Sequence, residues 1–190
     1  MMERTPTDPL EAAVRVAVAL REAGVPHAIG GALAYGWWAV PRATMDVDIN
    51  VFVQDDGLDA ALDALVEAGV TCDRETARAD HRARGMFVGR LGPFRIDVFT
   101  PSIPFAREAE RTRVRIELEG EGVDVLSREA IAVFKMLFFR TKDIADVERL
   151  LALQPALDTA YVRAHLVDMM GEDDERIVRW DRLCLDAATP

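Results

Sequence analysis

The chain has 190 residues, of which 50% are hydrophobic and 29% charged, so it can bury one sizeable core and shows no compositional sign of disorder. Its formal net charge of −10 argues against broad DNA binding, because phosphate contacts need clustered lysine and arginine. Its 2 cysteines lie far apart without neighbouring histidines, which argues against a disulfide framework and a zinc site.

The N-terminal part predicts a helix, a short strand, a glycine turn and a second helix. No basic start precedes an apolar core, and no stretch is apolar enough to span a bilayer, so we expect no membrane association and a cytoplasmic protein. Apolar residues at helical spacing predict a helix from Leu10 to a stop at Gly24. The segment VPHAIG predicts a strand that turns at Gly30 and Gly31 into a short helix, which Pro41 ends.

The next segments predict a strand with one acidic face and then an amphipathic helix. In MDVDINVFV, the residues Asp46, Asp48 and Asn50 alternate with apolar residues, which is the period of a strand. The segment DDGLDAALDALVEAG predicts a helix that begins at a cap formed by Asp55 or Asp56.

The remaining segments predict more strands and then helices only. GMFVGRL and PFRIDVF predict a hairpin, TRVRIEL predicts another strand, and four helical segments follow a cap at Ser127. The sequence therefore predicts an α+β fold with a mixed sheet. We expect residues 1–126 to form the α/β core and residues 127–190 to form a C-terminal helical region packed on it.

Three aspartates are candidate metal ligands. Asp46 and Asp48 project to one side of a strand, about 7 Å apart, where like charges repel unless a cation lies between them. An acidic, solvent-facing edge strand is the alternative for this D-x-D pattern alone. Asp97 lies in a second strand with the same apolar flanks, and if the two strands pair, the three carboxylates could supply ligands for two Mg²⁺ ions.

In this order, the motifs resemble the nucleotidyltransferase superfamily that shares the DNA polymerase β palm fold. Its pattern hG[G/S], DhDh and h[D/E]h is matched by Ile29–Gly31, Asp46–Ile49 and Ile96–Val98. Within the superfamily, the G-G-x-A-L segment followed by R-x-T-x-D-x-D, which includes Arg42 and Thr44, is most similar to AbiEii-type and other minimal bacterial nucleotidyltransferases.

The resemblance implies an enzyme that uses Mg²⁺, with two ions expected, and a nucleoside triphosphate. It implies that Asp46 and Asp48 bind the metal and the nucleotide, and that Asp97 is a ligand and a candidate general base. Gly30 and Gly31 would cradle the phosphates at the start of the helix.

Four further residues are candidate nucleotide contacts. Arg42 and Thr44 precede the D-x-D strand and would contact phosphate or brace the aspartates. Lys135 and Arg140 fit a later K-x-x-x-x-R-x-K-D-x-x-D pattern of these families, and Lys135 is the preferred phosphate contact.

The same later pattern also has a purely structural interpretation. In it, Lys135 is a lysine on a helix surface, Asp143 caps the next helix, and Asp146 pairs with Arg149 three residues later. The residues alone leave both interpretations open.

The acceptor is also open. AbiEii-type relatives include toxins of toxin–antitoxin pairs, so the resemblance implies tRNA or protein as the acceptor and an antitoxin as a partner. The alternatives are adenylylation of an aminoglycoside- or lincosamide-like antibiotic and a non-catalytic binding protein with the same fold. The arginines of residues 74–85 and 107–115 could form local patches for RNA, whereas the negative charge suits a cationic antibiotic.

Overall fold

The computed structural model describes residues 5–188, which form one mixed sheet and a set of helices. The strands are β1 His27–Ile29, β2 Asp46–Val51, β3 Met86–Leu91, β4 Phe94–Phe99, β5 Val114–Leu118 and β6 Glu121–Val125. The helices are α1 Pro9–Glu22, α2 Gly31–Trp38, α3 Leu58–Glu67, α4 Arg74–Arg84, α5 Ala106–Arg111, α6 Arg128–Phe138, α7 Thr141–Leu153, α8 Thr159–Met170 and α9 Glu175–Ala188. Among these described helices, none combines the length and the hydropathy needed to cross a membrane.

The sheet places β2 between β1 and β4. Its order is β3-β4-β2-β1-β6-β5, in which β2 runs parallel to β4 and β1 runs parallel to β6, while the other neighbours are antiparallel. One face of β2 is apolar: Val47, Ile49 and Val51 are fully buried, and α1 packs against β1, β2, β6 and α3. The alternate residues of β2 therefore face the other side of the sheet.

The predicted helices and the β3–β4 hairpin are confirmed. Three elements were missed, and the predicted start of α3 was wrong. The missed elements are α4, α5 and β6. The helix α4 has a single buried residue, Ala77, so it has no apolar stripe for periodicity to detect. It is defined by its ends: Asp73 accepts a hydrogen bond from the Thr76 amide, and Gly85 ends the helix at a φ of +64°.

The predicted cap of α3 is also corrected. The residue before its first turn is Gly57, which gives no side-chain cap, and neither Asp55 nor Asp56 holds that position. Asp55 instead accepts a hydrogen bond from Nε2 of His81 at 2.6 Å.

The described residues form two compact units. The first contains the residues up to Leu33 together with Arg42–Leu126, and the second contains Ala34–Pro41 together with the residues from Ser127 onward. In the second unit, α6 packs against α7, α8 and α9 around buried side chains such as Met136 and Trp180. The predicted cap at Ser127 is confirmed, because its side chain accepts a hydrogen bond from the Ala130 amide at 3.1 Å.

Candidate functional site

The candidate site lies on the polar face of β2 and β4. In the parallel pairing of these strands, Asp48 lies directly opposite Asp97 and Asp46 lies opposite Arg95. Residues opposite each other in neighbouring strands share a face, and neighbouring strands lie about 5 Å apart. The structure thus places the three sequence-predicted aspartates on one face of two adjacent strands.

The glycine turn packs directly on Asp48. The Gly30 amide donates a hydrogen bond to the Asp48 carbonyl oxygen at 2.8 Å, which ties the turn to β2. Gly31 has a φ of +54°, and a Cβ atom added there would overlap the Asp48 carboxylate. A Cβ atom on Gly30 would overlap the buried Asn50 amide. Both positions therefore need glycine because of close contacts with the acidic strand.

Asp97 is held by an arginine that the sequence analysis missed. Nε of Arg95 donates a hydrogen bond to Oδ1 of Asp97 at 2.8 Å. The Asp97 side chain is 15% exposed and the Arg95 side chain 47% exposed. The signal was present in the sequence, because Arg95 and Asp97 are two residues apart in a strand and so project to the same face.

Thr44 braces the start of β2. Its hydroxyl accepts a hydrogen bond from the Asp46 amide and donates one to the Asp46 carbonyl oxygen, each at 3.1 Å. Arg42 is exposed on the connection that leads to this strand. The contacts of Thr44 correspond to the bracing role that was one of its two predicted roles.

Lys135 lies in the second unit, inside a buried ion pair. Its Nζ is 2.6 Å from Oδ2 of Asp146 and 3.9 Å from Oδ1 of Asp143, and it lies 4.7 Å from the centroid of the Tyr35 ring. Lys135, Asp143 and Asp146 are all buried. The interpretation of Lys135 as a surface lysine is therefore wrong, and its charge is compensated within the helical unit.

Arg140 belongs to the same network through Asp143. Its Nε donates to Oδ2 of Asp143 at 2.6 Å, and its backbone amide donates to the same oxygen at 3.2 Å. Asp143 therefore caps the start of α7, as the structural interpretation of this segment expected. Lys135 and Arg140 both lie outside the unit that carries the three aspartates.

The donor set on β2 and β4 fits a hard divalent cation. Within residues 5–188, no three His, Cys, Asp or Glu side chains are already gathered closely enough to hold a metal ion. The three aspartates nevertheless offer carboxylate oxygens only, which Mg²⁺ prefers. The bare Cα of Gly31 packs against Asp48 where any side chain would overlap its carboxylate. Asp46, Asp48 and Asp97 are the residues that could hold such an ion.

No family model and no curated protein matches the chain by sequence. Solved structures do match. The antibiotic-resistance factor ANT(2'')-Ia in solution is 16% identical with a TM-score of 0.59, over 84% of this chain and 89% of that chain. The same factor in complex with adenylyl-2''-tobramycin is 16% identical with a TM-score of 0.58, over 91% and 97% of the two chains.

A third solved structure has the same fold. An antigenic nucleotidyltransferase-like protein from Paracoccidioides brasiliensis is 18% identical with a TM-score of 0.56, over 92% of this chain and 94% of that chain. The narrower similarity to AbiEii-type proteins stays a prediction. The chain has the α+β fold of these nucleotidyltransferase structures, with a mixed six-stranded sheet and a C-terminal helical region.

Proposed function

We propose that this protein is a Mg²⁺-dependent nucleotidyltransferase that transfers a nucleoside monophosphate from a nucleoside triphosphate to an acceptor hydroxyl. The observation that carries the proposal is the register of β2 and β4, which sets Asp48 opposite Asp97 with Asp46 on the same face. The fold shared with nucleotidyltransferase structures supports it. Two metal ions are expected from the family pattern.

In this mechanism, Asp46 and Asp48 would hold the metal and the nucleotide, while Asp97, also a candidate ligand, would face the acceptor hydroxyl. Bound Mg²⁺ would neutralise phosphate charge and favour ionisation of that hydroxyl. The hydroxyl oxygen attacks the α-phosphorus in line and gives its proton to Asp97. A new P–O bond forms as the bond to the β-phosphate oxygen breaks, and pyrophosphate leaves. The chain contributes mainly position and charge.

The start of α2 is the proposed phosphate cradle. The Gly30 amide already donates to Asp48, so the proposed donors are the amides of the first helical turn from Gly31 onward, which have no earlier helical carbonyl to donate to. Arg42 is a proposed phosphate contact and Thr44 a proposed brace. Lys135 and Arg140 stay predicted nucleotide contacts, and Lys135 donates a hydrogen bond to Asp146 at 2.6 Å.

For the acceptor, we propose a cationic small molecule. The net charge of −10 favours a cation over a polyanion. The arginines that could have bound RNA are largely committed: in residues 74–85 and 107–115, three of the four arginines of each segment pair with carboxylates, namely Arg74, Arg78 and Arg84, and Arg111, Arg113 and Arg115. The choice is supported by a solved protein of the same fold, ANT(2'')-Ia, in complex with adenylyl-2''-tobramycin.

The test is a transfer assay. The protein and Mg²⁺ are incubated with each α-labelled nucleoside triphosphate and with an aminoglycoside panel, a lincosamide, tRNA or a cell lysate. We expect label on an aminoglycoside, and we expect none with the Asp97→Asn protein. Label on tRNA or on a protein instead would favour the toxin–antitoxin hypothesis. Label on no acceptor would contradict the enzymatic proposal and favour a non-catalytic protein with this fold.

A further inference from the structure

Arg95 brings a positive charge into the group of candidate metal ligands. It lies opposite Asp46 in the strand pairing and donates a hydrogen bond to Asp97, two residues later in its own strand. The side chains of this arginine and of the three candidate aspartates project to the same face of β2 and β4. Arg95 thus lies beside two of the three carboxylates on which the proposed function rests.

The carboxylates on this face of β2 and β4 require a positive charge nearby. Carboxylates held on one face of adjacent strands repel one another unless a positive charge lies among them. The Arg95 guanidinium supplies that charge to Asp97, in a hydrogen bond of 2.8 Å. A metal ion bound to the same Oδ1 atom would bring a second positive charge next to the guanidinium, so the arginine and the metal compete for Asp97.

The exposures of the two partners indicate which one moves. Asp97 is 15% exposed and is fixed in the middle of β4, whereas Arg95 is 47% exposed and has a long, flexible side chain. The guanidinium can therefore leave for solvent, or for an anion bound at the same face, without disturbing the strand. A phosphate is such an anion, because an arginine fork fits two of its oxygens.

We propose that Arg95 is an internal counter-ion that holds Asp97 in the metal-free protein and exchanges it for the nucleotide's phosphates when metal and nucleotide bind together. This inference rests on the proposed function. Arg95 weakens the binding of metal alone and strengthens the binding of nucleotide in the presence of metal. The site therefore binds the metal–nucleotide complex in preference to the free metal ion.

The experiment measures binding and needs no acceptor. Mn²⁺ is titrated into the full-length protein and followed by the EPR signal of free Mn²⁺, and nucleotide binding at saturating Mg²⁺ is followed by calorimetry. In Arg95→Gln we expect the affinity for Mn²⁺ alone to rise roughly threefold, the scale of a half-exposed ion pair. We expect the affinity for nucleotide at saturating Mg²⁺ to fall.

Arg90→Gln is the matched control. Arg90 lies opposite Arg95 on the neighbouring strand β3 and is exposed, so the variant removes the same charge from the same face. Arg95→Lys keeps the charge without the guanidinium fork. We expect its affinity for Mn²⁺ to lie between those of wild type and Arg95→Gln. Thermal unfolding of each variant checks that it is folded.

Two results would overturn the inference. Equal Mn²⁺ affinities in wild type, Arg90→Gln and Arg95→Gln would show that Arg95 does not compete with metal. Equal increases in both glutamine variants would show a general charge effect instead of an exchange at Asp97. If wild type binds neither Mn²⁺ nor nucleotide, the proposed function fails as well, which separates that outcome from a failure of the exchange alone.

Discussion

Gly31 is the residue on which the geometry of the candidate site depends most closely. Its positive φ of +54° disfavours any side chain, and a Cβ atom there would overlap the Asp48 carboxylate. Gly24 separates the effect of the positive φ from that of the close contact. It also has a positive φ, of +69°, but has no atom within 4 Å of an added Cβ.

We expect Gly31→Ala to lose nucleotide binding and to destabilise the protein more than Gly24→Ala does. The control carries only the backbone cost, on the order of 1 kcal/mol, whereas Gly31→Ala also displaces Asp48. Urea unfolding and nucleotide titration of both variants measure this. The same loss of stability in both, with nucleotide binding kept in Gly31→Ala, would show that the close contact with Asp48 is unimportant.

His27 is a buried imidazole whose protonation opposes folding. Its Nδ1 lies 2.8 Å from the Val25 carbonyl oxygen, and its Nε2 is buried without a hydrogen-bond partner in the described part of the chain. Burial lowers the pKa of His27 below its ordinary value of 6.5. The Nδ1–H tautomer is the one that can donate to the carbonyl oxygen.

The lowered pKa predicts a loss of stability in mild acid. Below about pH 6.5 the unfolded chain takes up a proton at His27 that the folded protein resists, so this contribution is complete above that pH and declines as the pH falls. We expect His27→Phe to flatten the fall in unfolding free energy as the pH drops below 6.5, whereas His165→Gln should retain it. An unchanged slope in His27→Phe would refute the assignment.

Among the elements, α6 and α7 are joined by a buried charge pair. Lys135 on α6 meets Asp146 on α7 at 2.6 Å, with both side chains at most 7% exposed. A buried pair gains little over a well-packed apolar pair, but removal of one partner leaves an uncompensated charge. The pair therefore fixes how these two helices pack more than it adds net stability.

We expect Asp146→Asn to lower the unfolding free energy by about 3–5 kcal/mol. The control is Glu148→Gln, which breaks an exposed pair with Arg179 whose side chains are 51% and 41% exposed, and it should cost less than about 1 kcal/mol. Urea unfolding compares the two. Equal, small losses would mean that Lys135 is not held by Asp146 as the structure indicates.

A histidine also ties the two acid-bearing strands together at their carboxyl ends. His81 on α4 contacts Thr100, which follows β4, at 2.8 Å and Asp55, which follows β2, at 2.6 Å. This contact could not be predicted from the sequence, since the three residues are widely separated along the chain. Long-range polar contacts of this kind are set by packing and have no periodic pattern to detect.

Across the whole molecule, local sequence patterns predicted single elements and their faces better than they predicted which distant residues pair. The alternation of Asp46 and Asp48 predicted their shared face, and Asp97 was expected beside them on condition that the strands pair, which they do. The strand β6 was missed because EGVDV is a short segment with a weak alternation. Lys135 was predicted as a phosphate contact or as a surface lysine, and neither interpretation could show that Asp146 on another helix faces it.

The charge of the whole chain bears on the acceptor. Many surface arginines are neutralised by neighbouring carboxylates, and the net charge stays strongly negative. This distribution supports the proposed cationic acceptor, although Arg95 supplies a local positive charge to the candidate site.

The most direct test of the proposed metal and nucleotide site is calorimetric titration of Mg²⁺ and each nucleoside triphosphate into wild type and into Asp46→Asn/Asp48→Asn. Glu117→Gln/Glu119→Gln is the matched control, since it removes two exposed charges from the same unit away from β2 and β4. We expect wild type and the control to bind nucleotide with Mg²⁺ and the aspartate variant not to bind it. Unchanged nucleotide binding in the folded aspartate variant would contradict it.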